Sequence, residues 1–385
     1  MSIPNARAVD SAICYAQSPM MKRLFFTIFI LFMTASAQAA EKIPLVFIHG
    51  FKGAGLKSST GNTVWLTQWQ ALGLSTSRLA LPMKWNGDTQ ERDGVTVDEV
   101  LSKVSVLPLL YSEDIYGAWL AAAAKFERPF YSFTYDWRRD NLESLNQFER
   151  FVDQVRIREG VSKVQVVAHS MGGLITLALL NKRPEVFHDV VFAGVPFAGG
   201  VGFLDDLHAG VAVGLNSRIL SPQVLFTFPS VYALFPLDGK GLEDEQGNPL
   251  KMDFYSAADW RRNGLSAFWQ PSKQADAEEH FLAGALARAK RFRLLLQPRA
   301  LKYPPVTVVL GSSKPTTVAV RRSNADGKHG WDPELSPKAP GDGRVAAVHA
   351  LPPKGIDFRT VNVEAEHAKL LSDPAVVSLI RDSAK

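Results

Sequence analysis

The sequence is poor in several features that would point to particular classes of protein. Among 385 residues there is one cysteine, Cys14, so no intramolecular disulfide can form. Lysine and arginine outnumber aspartate and glutamate by only 43 to 38, and the net charge of +5 is too diffuse to indicate nucleic acid binding. No internal repeats and no metal-ligand spacing stand out, so we expect neither a repeat architecture nor a metal centre, with a structural calcium near Asp326 and Asp332 as the alternative. The 46% of hydrophobic residues suffice for an ordinary globular core.

The N-terminal segment is typical of an export signal with an upstream extension, together residues 1–39. A basic start at Lys22 and Arg23 is followed by an apolar run and then by small residues that end in Ala37-Gln38-Ala39. The apolar run is too short to span a bilayer, and the A-x-A pattern predicts cleavage after it. We therefore expect a periplasmic or secreted protein that loses its single cysteine on processing.

The rest of the chain is organised around a strand, a sharp turn and a helix at Ser170. Residues 164–169 form an apolar, valine-rich run, and residues 174–180 favour a helix. Small residues at Ala168 and Gly172 match the spacing of a nucleophile elbow, in which the chain around the serine packs closely. Ser170 is therefore the predicted nucleophile, with the first amides of the helix facing any developing negative charge. A chance Ser-x-Gly is the alternative, and the flanking strand and helix argue against it.

Strand and helix patterns alternate along the chain. Strand patterns occur at residues 43–48, 130–135, 164–169, 189–195, 305–310 and 358–363. An amphipathic helix over residues 142–155, ended by Gly160, separates two of them. This alternation predicts an α/β fold with a mostly parallel sheet and crossover helices.

An insertion interrupts the alternation between the strands at 189–195 and 305–310. The segment between them is far longer than a crossover needs. We therefore predict a core of residues 40–196 and 304–385 and a large cap over residues 197–303. The cap is rich in aromatic residues, which would either cover an apolar site or form a small core of their own.

The first strand leads into a turn that is suited to an oxyanion hole. It ends in His49-Gly50-Phe51, where Gly50 permits the turn. One oxyanion donor in such a sheet comes from this loop, so the backbone N–H groups of Phe51 and Met171 are the predicted pair. His49 is a predicted supporting residue. The alternative is a simple glycine turn beside a packed histidine.

Chain order narrows the choice of partners for Ser170. An acid is expected after a late strand and a histidine after the last one, and Asp342 and His367 satisfy that order. His367 would take the proton from Ser170, and Asp342 would orient the imidazole and stabilise its charged form. Such a triad needs neither a metal nor a cofactor. Asp326, Asp332 and Asp357 are rival acids, and His349 is the alternative base.

A charged segment follows the strand pattern at 130–135. Asp136 and Arg138 fall where active-site loops gather, at the carboxyl end of a strand. We predict that they form an ion pair that shapes the loop beside the oxyanion hole. The alternative is a solvated charged loop.

Taken together, these motifs resemble those of the lecithin–cholesterol acyltransferase family of α/β-hydrolases. They are Gly55-Leu56, Val64-Trp65, Asp93-Gly94-Val95, Tyr135-Asp136-Trp137-Arg138, Ala168-His169-Ser170-Met171-Gly172, Gly194-Val195-Pro196-Phe197, Gly341-Asp342-Gly343-Arg344-Val345 and His367. His-Gly-Phe in place of a Pro-Gly turn, Arg344 in place of threonine and the shortage of cysteine indicate a bacterial-type lipase or acyltransferase relative. The resemblance implies an α/β-hydrolase fold and acyl-ester chemistry on lipids.

The expected function is therefore that of a serine acyl-ester hydrolase whose partner is a lipid or fatty-acyl ester. It would act through an acyl-enzyme on Ser170. An O-acyltransferase that passes the acyl group to an alcohol is one alternative. A catalytically silent binding protein on the same scaffold is the other.

A helix predicted over residues 276–293 suggests contact with a membrane surface. Its last turns contain Arg288, Lys290, Arg291 and Arg293. Such a basic end would suit anionic headgroups. The alternative is a cap helix packed on its neighbours, with solvated charges at its end.

Overall fold

A central sheet of six strands forms the core of the computed structural model, which describes residues 42–75, 79–107, 111–269, 273–299, 302–325 and 330–383. The strands are β1 (Leu45–Ile48), β2 (Phe130–Phe133), β3 (Val164–His169), β4 (Phe187–Ala193), β5 (Val306–Gly311) and β6 (Arg359–Val363). Their spatial order is β6, β5, β4, β3, β1, β2, and each neighbouring pair is parallel. The predicted α/β-hydrolase fold is confirmed. The predicted export signal and Asp326 lie outside the described residues.

Side-chain alternation explains how the sheet separates two apolar layers. In β1, Val46 and Ile48 pack on one face, while Leu45 and Phe47 pack on the other. Successive side chains of a strand point to opposite faces, so an unbroken apolar run suits a strand that is covered on both sides. β3 lies near the middle of the sheet and is buried at every position.

The four longest helices of the described residues pack on the sheet or within the insertion. They are α1 (Asn141–Glu159), α2 (Met171–Lys182), α3 (Ala275–Leu294) and α4 (Pro374–Asp382). The Asp140 side chain caps α1 by accepting the amides of Leu142 and Glu143, and Gly160 ends the helix with a φ of 68°. That end was the one predicted from the sequence.

Shorter elements complete the fold. The remaining helices are Gln68–Ala71, Gly117–Ala123, Phe203–Ala209, Pro222–Phe226 and Ala257–Arg262, with 3₁₀ turns at Pro184–Val186, Pro229–Leu234, Ser266–Trp269, Ala347–Ala350 and His367–Ser372. The remaining strands are Ala54–Lys57, Thr63–Trp65, Trp85–Asn86, Thr89–Gln90, Thr96–Val100, Lys103–Leu107, Tyr111–Asp114, Val211–Val213, Asn216–Leu220, Leu242–Glu243, Pro249–Leu250, Lys314–Thr317, Val320–Arg322, Trp331–Asp332 and Lys338–Gly341. Within the described ranges, every helix is too short or too polar to cross a membrane.

Aromatic residues in the insertion between β4 and β5 pack on one another and on the sheet layer. The ring of Tyr232 lies 5.4 Å from that of Trp260, which lies 5.2 Å from Phe235. Phe226 contacts both Tyr232 and Phe281, at 6.5 and 5.8 Å. These side chains belong to the same apolar cluster as the sheet layer that contains Val46 and Ile48, so they neither form a separate core nor line the cavity.

The insertion is also bonded to the polar segment that follows β5. Leu242–Glu243 pairs in parallel with Val320–Arg322, which lies beyond the predicted end of the cap at residue 303. The division into core and cap at residues 197–303 therefore stays a prediction.

The basic end of α3 is partly used inside the protein. Arg288 donates two hydrogen bonds to the carboxylate of Asp140, at 2.9 and 3.1 Å. Arg293 is buried and donates to the carbonyl oxygen of Phe197 at 2.8 Å. The prediction that the basic end faces headgroups is therefore wrong for Arg288 and Arg293, since both attach the helix to the rest of the fold.

Candidate active site

Ser170 stands at the turn between β3 and α2 in a backbone conformation that few non-glycine residues adopt. Its φ is 52° and its ψ is −128°. Two glycines make this turn fit. A Cβ on Gly172 would lie 2.4 Å from the carbonyl oxygen of His49, and one on Gly173 would lie 2.1 Å from Cγ2 of Val195. Only glycine therefore lets α2 start this close to the neighbouring loops.

The side chains of Ser170, His367 and Asp342 form a chain of hydrogen bonds. Nε2 of His367 lies 2.9 Å from Oγ of Ser170, and its Nδ1 lies 2.7 Å from Oδ2 of Asp342. Oδ1 of Asp342 accepts the amides of Arg344 and Val345 at 2.8 and 2.7 Å. Burial alone would raise the pKa of Asp342. The charge interaction and hydrogen bond with His367 outweigh burial, and the two amides add to their effect, so the pKa is held below 3.8. The imidazole thus meets a charged, oriented carboxylate.

A hairpin brings Asp342 to His367 although a long polar segment separates it from the end of β5 at Gly311. Strand Lys314–Thr317 leaves the sheet edge, and Lys338–Gly341 returns antiparallel to it. A Cβ on Gly311 would lie 2.6 Å from the Cβ of Asp342, so the acid packs directly on the end of β5. The acid therefore stands at the carboxyl end of the sheet despite its late position in the chain.

The rival acids and the rival base have other surroundings. Asp332 is buried and turns its carboxylate to a backbone amide two residues further on, at 2.8 Å. Asp357 is exposed. His349 is half-buried, and its carbonyl oxygen accepts the amide of Ala198 at 3.0 Å. The bonds of Asp332 and His349 go to other groups, whereas the three preferred residues bond to one another.

Phe51 and Met171, the predicted oxyanion donors, lie on two loops beside the serine. The Gly50 carbonyl accepts the amide of Gly53 at 3.2 Å and Nδ1 of His49 at 2.8 Å. The C=O of Gly50 and the N–H of Phe51 belong to one planar trans peptide and point in opposite directions within it. Bonds that fix the Gly50 carbonyl therefore also fix the direction of the Phe51 N–H. Met171 is the first residue of α2, where amides have no intrahelical acceptor and the helix dipole favours negative charge. Their role as oxyanion donors stays a prediction.

His49 supports the Phe51 loop from beneath. Its ring is buried and stacks on Tyr135 at 4.4 Å, and the Tyr135 hydroxyl donates to the His49 carbonyl at 2.9 Å. A carbonyl only accepts, so Nδ1 must carry the hydrogen that reaches Gly50. Burial lowers the pKa of His49 to about 4, although the bond to Gly50 opposes this. The side chain is therefore both a packed core histidine and a fixed neutral donor.

Asp136 and Arg138 form a buried ion pair rather than a solvated loop. Nε and Nη2 of Arg138 donate to the two carboxylate oxygens of Asp136 at 2.9 and 2.8 Å. Nη1 donates to Asp93 at 2.8 Å and to the carbonyl of Leu79 at 3.0 Å. The guanidinium has no exposed surface. The pair therefore joins three loops in a fixed arrangement.

The loop held by this pair lies against the predicted oxyanion loop. Between the two charged residues, Trp137 donates its indole N–H to the carbonyl of Ala54 at 3.0 Å. Its ring meets that of Phe51 edge-on, with centroids 5.0 Å apart. The ion pair is therefore linked to Phe51 through one tryptophan.

The site also contains two polar side chains, His169 and Tyr116, that were not predicted from the sequence. His169 immediately precedes the serine, and Tyr116 hydrogen-bonds to it from 53 positions earlier in the chain. His169 could have been selected from the sequence, because it stands next to the serine in the elbow. Tyr116 could not, because its segment carries no motif.

A cavity of about 600 Å³ opens above Ser170 and His367. Its apolar lining includes Phe51, Trp65, Leu66, Phe203, Val213 and Leu234. The rim also carries Lys314, which pairs with Glu366 at 2.9 Å. The volume falls in the range of small-molecule sites, and an apolar wall beside a serine suits an acyl chain. Among the described residues, no cluster of His, Cys, Asp and Glu could hold a metal ion.

Sequence comparisons relate the chain to known proteins. A family model described as Lecithin:cholesterol acyltransferase matches residues 121–276. Lecithin-cholesterol acyltransferase-like 4 of Arabidopsis thaliana is 24% identical over 162 residues, which cover 38% of this chain and 30% of the relative. Phospholipase A(1) LCAT3 of the same plant is 24% identical over 237 residues, which cover 52% and 53%. An uncharacterized protein of Saccharomyces cerevisiae is 21% identical over 243 residues, which cover 61% and 35%. The chain thus spans between about a third and about half of the length of these relatives.

Structure comparison extends over most of the chain. A chain in the crystal structure of the Tle4–Tli4 complex matches with a TM-score of 0.55 at 12% identity. The match covers 89% of this chain and 98% of that one. At this identity the likeness concerns the fold alone.

Proposed function

Because this chain is a relative of the lecithin:cholesterol acyltransferase family, we propose that it hydrolyses acyl esters of lipids by serine catalysis. The observation that carries this proposal is the hydrogen-bonded chain from Ser170 through His367 to Asp342 at the floor of an apolar cavity. A serine in reach of a base that is itself oriented by a carboxylate is the arrangement that nucleophilic acyl transfer requires.

In the proposed acylation, Nε2 of His367 accepts the proton of Ser170 as Oγ bonds to the ester carbonyl carbon. The carbonyl oxygen takes the negative charge and would accept the amides of Phe51 and Met171. The tetrahedral intermediate then releases the alcohol, which leaves with the proton from His367. Water attacks the acyl-enzyme in the same way, giving a proton to His367 that returns to Ser170 as the fatty acid departs. Asp342 holds the imidazole tautomer and stabilises its charged form throughout.

A fluorophosphonate probe and a lipid ester test this proposal together. We expect the wild type to be labelled on Ser170 and to release fatty acid, and Ser170→Ala to lose both properties. Ser162→Ala is the matched control, because Ser162 is an exposed serine outside the cavity. A folded Ser170→Ala protein that retained hydrolysis would refute the serine mechanism. A wild type that neither reacts nor hydrolyses would favour the silent scaffold.

Transfer of the acyl group to an alcohol is the second candidate. The family description names an acyltransferase, whereas one relative is named a phospholipase. Both reactions share the acyl-enzyme and differ only in whether water or an alcohol attacks it. Incubation of a phospholipid donor with long-chain alcohols, followed by quantification of ester against free fatty acid, separates them. Hydrolysis is the default, since it requires no second organic substrate.

The proposal includes export of the protein. The predicted signal ends at Ala39, so the mature chain would begin at Ala40. Sequencing the N-terminus of the protein from the periplasm or medium tests this cleavage.

A further inference from the structure

A line of three hydrogen bonds runs behind Ser170 and involves neither its hydroxyl nor the His367 ring. The amide of Gly50 donates to the Tyr116 hydroxyl oxygen at 3.0 Å. That oxygen lies 2.7 Å from Nδ1 of His169, and Nε2 of His169 lies 2.9 Å from the carbonyl oxygen of His367. Tyr116 and His169 are both buried, so these bonds are screened from water.

Acceptor chemistry sets the direction of every proton in this line. The His367 carbonyl only accepts, so Nε2 of His169 must carry a hydrogen. Burial, and then the nearby His367 ring, lower the pKa of His169 to about 3, so its Nδ1 is an unprotonated acceptor at neutral pH. The Tyr116 hydroxyl therefore donates to His169 and accepts from Gly50. Tyr116 and His169 each accept one bond and donate one, and the other neutral tautomer of His169 would turn an unprotonated Nε2 toward the His367 carbonyl, leaving both acceptors without a donor.

Both ends of the line act on backbone beside the proposed catalytic groups. Gly50 immediately precedes Phe51, and a Cβ on Gly50 would lie 2.7 Å from the Cβ of Ser170. At the other end, the carbonyl of His367 accepts from His169 while its own amide donates to the carbonyl of Asp342 at 3.0 Å. The line thus crosses from the loop after β1, behind the elbow, to the loop after β6.

We infer that Tyr116 and His169 are positioning residues, which hold the predicted oxyanion loop and the loop of the base at a fixed separation across Ser170. Ring contacts support the same arrangement. Tyr116 meets His169 edge-on at 5.5 Å, and the His169 ring lies 4.6 Å from that of His367. This inference rests on the proposed function, because it assigns the two side chains a part in that reaction.

Tyr116→Phe is the sharpest test, because it keeps the ring and removes only the hydroxyl. The Gly50 amide then loses its acceptor and His169 loses its donor, so the Phe51 loop is less well held. Direct loss of one oxyanion donor reduces kcat by about 10² to 10³. Tyr116 acts through the backbone, so we expect a decrease of about tenfold in kcat, with KM within about twofold.

A transition-state analogue gives a readout that a stability defect alone would not move. A lipid-like trifluoromethyl ketone forms a hemiketal whose oxygen occupies the oxyanion position. We expect Tyr116→Phe to weaken its binding by the same factor by which kcat/KM falls. Tyr232→Phe is the matched control, since that buried hydroxyl donates to the carbonyl of Phe226 at 2.7 Å outside the cavity. This control should lower Tm, with kcat and inhibitor binding unchanged.

His169→Asn tests the other end of the line. Its side-chain oxygen could still accept from Tyr116, but the shorter side chain has no donor that reaches the His367 carbonyl. We expect a decrease in kcat of about tenfold here as well, with KM within about twofold. Tyr116→Phe therefore tests the end of the line at Gly50, and His169→Asn tests the end at His367.

The outcomes distinguish this inference from the proposed function. Tyr116→Phe with kcat and inhibitor affinity within twofold of wild type would overturn the inference, as would an equal loss in Tyr232→Phe. If the wild type hydrolyses no ester, the proposed function fails instead. The rate of Ser170 phosphonylation in the same proteins then still tests the inference, because it requires only the serine, its base and the oxyanion donors.

Discussion

His49 and His169 lie behind Ser170, and each donates a ring N–H to the backbone of a site loop. Burial lowers their pKa values to about 4 and about 3, respectively. In an unfolded chain both would titrate near pH 6.5. Below that pH the unfolded chain binds protons that the folded chain excludes, so the site is a source of acid sensitivity.

This difference predicts that His49 stabilises the fold less as pH falls from 6.5 toward about 4. The loss is at most about 1.4 kcal/mol per pH unit. Asp205 acts in the opposite direction, because burial and then Asp206 raise its pKa to about 7 and its folded form binds the extra proton. A comparison with His49→Asn removes such other contributions, since asparagine could still donate to Gly50 and does not titrate.

Urea unfolding of both proteins at about pH 7.5, 6.5 and 5.5 measures the effect. We expect the stability advantage of the wild type over His49→Asn to shrink across the series. An advantage that stayed constant with pH would show that His49 is not excluded from protonation in the folded state.

At the scale of elements, a contact between α3 and Asp140, the N-cap residue of α1, joins the insertion to the sheet layer. Arg288 is 11% exposed and Asp140 is 4% exposed, and two hydrogen bonds connect them. Asp140 also accepts the first amides of α1, so one carboxylate serves both helices. One turn further along α3, Arg291 pairs at 3.0 Å with Asp88, which is largely exposed.

These two arginines therefore form a matched pair for mutation. Arg288→Gln leaves a buried carboxylate without its cation, so we expect the free energy of unfolding to fall by about 3 kcal/mol. Arg291→Gln breaks a solvent-screened pair, so we expect no measurable change in the urea midpoint. Chemical denaturation of the two variants checks both expectations. Equal midpoints for Arg288→Gln and wild type would mean that this contact does not attach α3.

Elements that could be predicted from the sequence are those whose signal is local. The valine run of β3, the small residues around Ser170 and the glycine at the end of α1 each specify backbone through neighbours in the chain. The hairpin of Lys314–Thr317 and Lys338–Gly341 has no such signal, because its strands are short and rich in proline, glycine and polar residues. The sequence therefore predicted Asp342 as the acid without showing how the chain brings it beside His367. The Tyr116–His169 contact was missed for a related reason, since only the folded sheet brings the two residues together.

At the scale of the whole molecule, the insertion buries most of its aromatic residues in the same apolar cluster as one layer of the sheet. Phe203 belongs to that cluster and also lines the cavity, where its ring meets that of Phe51 edge-on at 5.4 Å. The apolar surface offered to a substrate is therefore concentrated at the cavity wall. Of the basic end predicted on α3, Lys290 and Arg291 stay about half exposed and could still meet an anionic surface.

Lys290 and Arg291 lie next to each other in the last turns of α3, and each side chain is about half exposed. Each lies near a carboxylate, Lys290 at 3.7 Å from Asp253 and Arg291 at 3.0 Å from Asp88. An unpaired basic residue at an anionic membrane contributes about 1 kcal/mol, so two would change binding by about 25-fold. Because the local charge is balanced, we expect Lys290→Gln/Arg291→Gln to alter partition onto anionic vesicles at low salt by less than about twofold. Co-sedimentation measures this, with zwitterionic vesicles and hydrolysis of a short soluble ester as controls. A loss of tenfold or more that is confined to anionic vesicles, with ester hydrolysis intact, would instead establish this end of α3 as a membrane contact.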